Sequence, residues 1–231
     1  MGTTAHPPES PAVEAGRDPL IGTAMGLGLL AAVLALSVFL WLGYLIHPGE
    51  PTDFDLRVRA WIRSLESAEL TSLMWAATFY GAPVRLSPFG LVTAGVFLLR
   101  GWYRGALLVV VTLAGAGLLD TGLKLLFGRV RPEAFFDRYP APESFSFPSG
   151  HALFATCFFG GVAVLLSHRL RHPLSRALVW ALALTVILVI GASRVYLGVH
   201  YPTDVAGGFA VGVVWMVLVS LGDRIAVRRR V

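Results

Sequence analysis

Residues 105–127 read GALLVVVTLAGAGLLDTGLKLLF. Only Asp120 and Lys124 interrupt the apolar run, which exceeds the roughly 20 residues a helix needs to cross a hydrocarbon core. The stretch therefore predicts a transmembrane helix. Its two charges stand four residues apart, so a helix places them on one face, where they can neutralise each other inside the bilayer. Beyond Phe127 the chain continues Gly128-Arg129-Val130-Arg131-Pro132, and Pro132 stops the helix from continuing.

Similar runs lie on both sides of it. Ile21–Ile46, Val84–Leu99, His151–Ser167, Ala177–Ala192 and Val205–Gly222 are each apolar enough to cross. Val84–Leu99 is short, with Arg85 placed to snorkel at its entry. Ile21–Ile46 is longer than the apolar core of a signal peptide and reads as a retained span. The expectation is an all-α, integral membrane bundle of six transmembrane helices. Between the first two spans, Phe54, Val58, Trp61, Ile62 and Leu65 recur at helical spacing with Arg57, Arg59, Arg63 and Glu66 between them. That pattern predicts a short helix lying in the membrane interface. Leu70–Tyr80 is apolar until Gly81-Ala82-Pro83 breaks it, and its path is open: re-entrant, interfacial or an extension of the second span. Residues 1–19 read as a disordered tail, 20–222 as the membrane domain and 223–231 as a basic tail.

Composition agrees with this. Of 231 residues 55% are hydrophobic and 14% charged, against about 25% charged in a soluble domain. The formal charge of +5 has no aromatic-interleaved basic surface beside it, so nucleic acid is not an expected partner. Cys157 is the only cysteine, so no intramolecular disulfide forms. Its apolar surroundings predict an inert buried thiol.

Charge bias sets the topology. With six spans, Arg100, Arg104, Arg169, Arg171, Arg176, Arg224 and Arg228–Arg230 share one side with the N-terminal tail and few acids. That side is expected to be cytoplasmic, at the plasma membrane, with both termini inside. Three polar clusters then fall together on the extracytoplasmic side.

The first cluster is Lys124…Arg131-Pro132, the second Pro148-Ser149-Gly150-His151, and the third Ser193-Arg194…His200…Asp204. Ionisable groups at the mouths of membrane helices are costly and point to function. Each cluster also has an ordinary explanation: a snorkelling Lys124, a Ser149 helix cap, and an Asp204 cap with Thr203 as competitor. The chemical reading is that cations grip an anion while Ser149 and the backbone at Gly150 donate to it. If the turn at 200–204 is helical, Asp204 orients one ring nitrogen of His200 and the other is free to attack.

The ordered set K-x6-R-P, P-S-G-H and S-R-x5-H-x3-D resembles the three-part signature of the type-2 phosphatidic-acid phosphatase / vanadium haloperoxidase superfamily, in its membrane-bound branch. Every signature position is filled. The resemblance implies that Lys124, Arg131, Ser149, Gly150 and Arg194 bind phosphate. It implies that His200 attacks phosphorus to give a phosphohistidine, that Asp204 fixes the His200 tautomer, and that His151 protonates the leaving oxygen. Fixed cations then do what Mg²⁺ does in kinases. No cluster of acids suitable for a metal stands out, so no metal or cofactor is expected.

The function expected is a lipid phosphate phosphatase, with the bilayer and a phosphorylated lipid as partners. Substrate candidates are undecaprenyl pyrophosphate, phosphatidylglycerophosphate and phosphatidic acid. A phosphotransferase sharing the phosphohistidine is an alternative. An anion transporter is another, but it would not need a His–Asp pair beside a second His. The soluble haloperoxidase branch does not fit a chain with membrane spans. Phe135, Phe136, Tyr139, Phe145 and Phe147 crowd the loop between the first two clusters, either seating it at the interface or packing as a small lid.

Overall fold

A computed structural model describes residues 19–46, 50–136 and 143–228. Those residues contain helices and no strand: α1 (Pro19–Leu45), α2 (Asp53–Ser64), α3 (Ala68–Tyr80), α4 (Pro83–Leu99), α5 (Tyr103–Phe127), α6 (Gly150–Ala155), a π-helical turn (Thr156–Gly160), α7 (Gly161–Ser167), α8 (Pro173–Tyr196) and α9 (Pro202–Arg228). Local chemistry marks the ends. Thr52 and Asp55 form a capping box at the start of α2, each side chain accepting from the other's backbone N–H at 3.1 and 3.2 Å. Ser67 caps α3. Prolines open α4 and α8 at the first turn, where the missing N–H costs nothing. Gly128, at φ 57°, ends α5 in the left-handed conformation that glycine adopts without strain.

Five helical stretches are long and apolar enough to cross a membrane: Met25–Leu45, Tyr103–Phe127, Gly150–Ser167, Pro173–Tyr196 and Pro202–Val227. The sixth expected span takes a different form. α3 and α4 qualify only as a pair, bent by 56° at Gly81-Ala82, so residues 68–80 lead into the short Val84–Leu99 run. Pro83 at the start of α4 cannot donate back into α3, and this fixes the break. Most other spans are longer than expected. α8 begins at Pro173 and reaches Tyr196, taking Ser193 and Arg194 into its last turn. α9 runs from Pro202 past Gly222 to Arg228, so part of the expected basic tail is helix. The expected tail over residues 1–19 lies outside the described residues except for Pro19.

The interfacial helix α2 forms where its periodicity predicts it. It presents Phe54, Leu56 and Trp61 outward, while Asp55 is fully buried. In a lipid-facing helix the apolar stripe points out and the polar side chains turn toward the protein. The loop aromatics mostly pack inward. Phe147 is fully buried, stacked on Phe39 and edge-on to Phe127. Phe135 lies beneath the guanidinium groups of Arg59 and Arg63, and Phe136 stacks on Tyr196. Phe145 is exposed, and Tyr139 lies outside the described residues.

The helix pair that matters most for the site is α6 on α9. A Cβ at Gly208 would stand 2.5 Å from the Ser149 carbonyl oxygen, and one at Gly212 2.6 Å from the Thr156 Cβ. Small residues thus let the two backbones close up, as in other membrane helix pairs. This contact brings the start of α6 against the start of α9.

Candidate active site

All three polar clusters gather at one end of the bundle, formed by the end of α5, the start of α6, the end of α8 and the start of α9. Arg194 and His200 are 1% exposed, and Ser149 and Asp204 are completely buried.

His200 does not sit in a helix. It lies in the bend between α8 and α9, so the helical turn over 200–204 that would have paired it with Asp204 is absent. The pair forms by another route. Asp204 stands in the first turn of α9, and its Oδ2 accepts from the Tyr201 backbone N–H at 2.8 Å, half of a capping box. That bond turns the carboxylate back toward the loop, where Oδ2 lies 3.4 Å from His200 Nδ1. The cap and the histidine partner are therefore one residue in two roles.

The other ring nitrogen, Nε2, is 2.8 Å from Arg131 Nη1. A guanidinium can only donate, so Nε2 must carry the lone pair and the proton belongs on Nδ1, facing Asp204. Burial, then the positive charges of Arg131, Arg194 and Lys124, hold the His200 imidazole well below its ordinary value of about 6.5. It is neutral at pH 7, with a nitrogen lone pair aimed at a cluster of cations.

Arg131 is held by carbonyls. Its Nε donates to Ser144 O at 2.6 Å, and its other nitrogens to Val199 O and Phe145 O at 3.1 Å. Arg194 donates to the Thr78 hydroxyl of α3, and the Thr78 backbone hydrogen-bonds His151. α3, whose path the sequence left open, thereby braces two of the three clusters. Lys124 meets Asp120 at 2.8 Å, the i,i+4 pair expected from the first stretch. Ser193 instead uses its hydroxyl on the Ile190 carbonyl within α8.

Among the buried polar atoms at this end that have no hydrogen-bond partner among the described residues are Ser149 Oγ and His151 Nε2. Ser149 occupies the cap position of α6 but makes no side-chain cap bond, which removes the ordinary explanation for it. A buried donor left without a partner costs about 1–3 kcal/mol, which fits a site built to receive a ligand oxygen. Gly150 has a further reason to be glycine, since a Cβ there would lie 2.7 Å from Asp120 Oδ1. Gly150→Ala is expected to displace Asp120, and with it Lys124, lowering kcat/KM by on the order of 10²-fold. Steady-state kinetics beside an unfolding curve measure this; an unchanged kcat/KM would show that the Asp120–Lys124 pair tolerates the shift.

The sequence motifs miss a second layer. Arg129 is completely buried. It donates to Asp204 Oδ1 at 2.6 Å, to Asp55 Oδ2 at 2.8 Å and to the Thr203 hydroxyl at 2.7 Å, and its guanidinium lies 4.2 Å from the Tyr201 ring centre. Asp55 in turn accepts from the Thr203 N–H at 3.0 Å. The interfacial helix α2 thus reaches the carboxylate that faces His200. Arg59 of the same helix donates to the carbonyls of Gly198 and Glu133 at 2.8 and 3.0 Å, tying down both loops that carry the site. No signal in the sequence separates Arg129 from Arg131: the two stand two residues apart, a spacing that in an extended chain puts both side chains on one face, yet Arg129 turns in to Asp55 and Asp204.

With this geometry in place, the comparison with known proteins is specific. A model of the PAP2 superfamily matches residues 105–225, the segment that carries all three clusters. The chain belongs to the PAP2 superfamily. Phosphatidylglycerophosphatase B of Bacillus subtilis (strain 168) is 34% identical over 187 residues, covering 79% of this chain and 89% of that protein. An undecaprenyl-diphosphatase of Sulfolobus acidocaldarius is 29% identical over 188 residues, covering 80% and 84%. The crystal structure of a transmembrane PAP2-type phosphatidylglycerolphosphate phosphatase from Bacillus subtilis matches with a TM-score of 0.74 at 33% identity, over 84% of this chain and 96% of that one. As a PAP2 protein with this helical bundle, the chain is a multi-pass membrane phosphatase.

Proposed function

We propose that this PAP2 protein hydrolyses the phosphate or diphosphate head group of a membrane lipid at the extracytoplasmic face, through a phosphohistidine on His200. The observation that carries the reading is the His200 ring. Nδ1 faces a buried carboxylate, and the lone pair on Nε2 faces Arg131, with the charges of Arg194 and Lys124 acting on it.

The steps follow from that arrangement. An entering phosphate takes Arg131 away from Nε2, exchanging one hydrogen bond for a charge-assisted one and uncovering the nucleophile. Arg194 and Lys124 hold further oxygens, and the Ser149 hydroxyl and the Gly150 backbone donate to them. These fixed donors stabilise the charge on the equatorial oxygens as the phosphoryl group transfers. Nε2 bonds to phosphorus as the bond to the lipid oxygen breaks. His151, an imidazolium once the anionic phosphate lies beside it, delivers the Nε2 proton to that leaving oxygen and is left neutral. Asp204 stabilises the charge that appears on His200. Water activated by His151 then attacks phosphorus, releasing phosphate and restoring the neutral ring. Arg129, Asp55 and Thr203 keep Asp204 in place.

Phosphatidylglycerophosphate and undecaprenyl diphosphate are the first substrates to try, since the relatives above carry those activities in their names. A panel of glycerolipid and polyprenyl phosphates, assayed on purified protein in liposomes, is expected to give at least one substrate with phosphate release that EDTA does not reduce. Among the described residues no three His, Cys, Asp or Glu side chains converge to hold an ion. Loss of activity on chelation, restored by a divalent ion, would overturn the metal-free mechanism.

A further inference from the structure

The end of the bundle away from the site holds a polar cavity. It measures about 510 Å³ and is lined by Trp102, Arg104, His168, Arg169, Asp223 and Arg224 among others. Asp223 and Arg224 stand about 30 Å from Asp204 along α9, at 1.5 Å per residue. Among the described residues Asp223 is the only acid in the lining, and Arg104 holds it in a two-point ion pair at 2.5 and 2.6 Å. The charges of Arg169 and Arg224 are left over. Arg169 is held over the Trp102 ring at 4.1 Å. Arg224 Nη1 is buried and has no hydrogen-bond partner among the described residues.

A second cavity of about 380 Å³ adjoins the first and shares His168 and Arg224 with it. Its wall is apolar, with Met25, Leu29, Val164, Trp180, Met216 and Val217 from four helices. The buried Ser167 hydroxyl, also without a partner, lies in the same lining. A cationic chamber opening beside an apolar channel, with an unpartnered guanidinium nitrogen at their junction, has the chemistry of a phospholipid site. A free anion would leave the channel unfilled, and a neutral lipid would leave two arginines uncompensated.

We propose that this composite cavity binds an anionic phospholipid from the leaflet opposite the active site, its phosphate on Arg169 and Arg224 and one acyl chain in the channel. The inference does not rest on the catalytic mechanism, because none of these residues belongs to it. The test is native mass spectrometry of the full chain released from nanodiscs containing equal phosphatidylglycerol and phosphatidylcholine. The wild type is expected to retain phosphatidylglycerol selectively. The double variant Arg169→Gln/Arg224→Gln should lose about tenfold or more of that retention, at about 1 kcal/mol per arginine. Gly28→Phe fills the channel from α1, where a Cβ meets nothing within 4 Å, and should lower retention with every charge in place. If the arginine variant fails to fold, Gly28→Phe alone decides. Equal retention of both lipids, undiminished retention in Gly28→Phe, or displacement of the lipid by millimolar inorganic phosphate would each overturn the proposal.

Discussion

His200→Ala is expected to lower turnover by roughly 10⁴-fold or more, the scale seen when a nucleophile is removed from a coupled catalytic set. The protein should remain folded. His200 is buried and neutral, so its loss removes a ring from a polar pocket and strands no charge. Arg131 loses one acceptor but keeps the carbonyls of Ser144, Phe145 and Val199. His151→Ala should behave differently, slowing release of the leaving group so that the loss shrinks for substrates with better leaving groups. Turnover of His200→Ala within tenfold of the wild type, in a protein with an unchanged unfolding temperature, would assign the nucleophile elsewhere.

Arg129→Met is expected to be the most damaging change to stability, by about 3–5 kcal/mol. Its cost comes from what it leaves behind. Asp55 and Asp204 are both completely buried, and each forms an ion pair with Arg129, at 2.8 and 2.6 Å. Without the guanidinium two buried carboxylates lose their charge partner, and each then carries the cost of burying an unpaired charge. Asp55→Asn keeps the shape of the Thr52 cap and the Thr203 contact, so it should cost much less. Combined with Arg129→Met it should recover part of the loss, because one stranded charge is gone. Thermal unfolding of the three variants in detergent measures this. Additive losses, with no recovery in the double variant, would mean that the network is not a coupled unit.

The span pattern and the three clusters are legible in the sequence because charge in a bilayer is costly enough to stand out. Asp120 and Lys124 announce themselves in this way, and they pair at 2.8 Å. Arg129 does not. It stands in the same basic loop as Arg131, and nothing in its neighbours says that it turns inward to acids 74 and 75 residues away. Asp55 is hidden for the opposite reason: an acid in the first turn of an interfacial helix has a sufficient local explanation as a cap. The His200–Asp204 pair is legible as a pair but not as a geometry, since i,i+4 spacing suggests a helical turn where the chain has a bend closed by a cap. The break between α3 and α4 is visible at Gly81-Ala82-Pro83. That α3 packs on α8 and braces Arg194 and His151 through Thr78 is a tertiary fact, with no periodic signal to reveal it.

The central claim is that the phosphoryl group passes through His200 Nε2. The direct test is rapid quenching of the purified protein with a lipid substrate labelled at the phosphate, followed by peptide mapping. An acid-labile, base-stable phosphoramidate on the peptide containing His200, absent from His200→Ala and, with a substrate whose leaving group departs without protonation, accumulating in His151→Ala, is the result expected. Label on any other residue, or none under conditions where turnover continues, would contradict it.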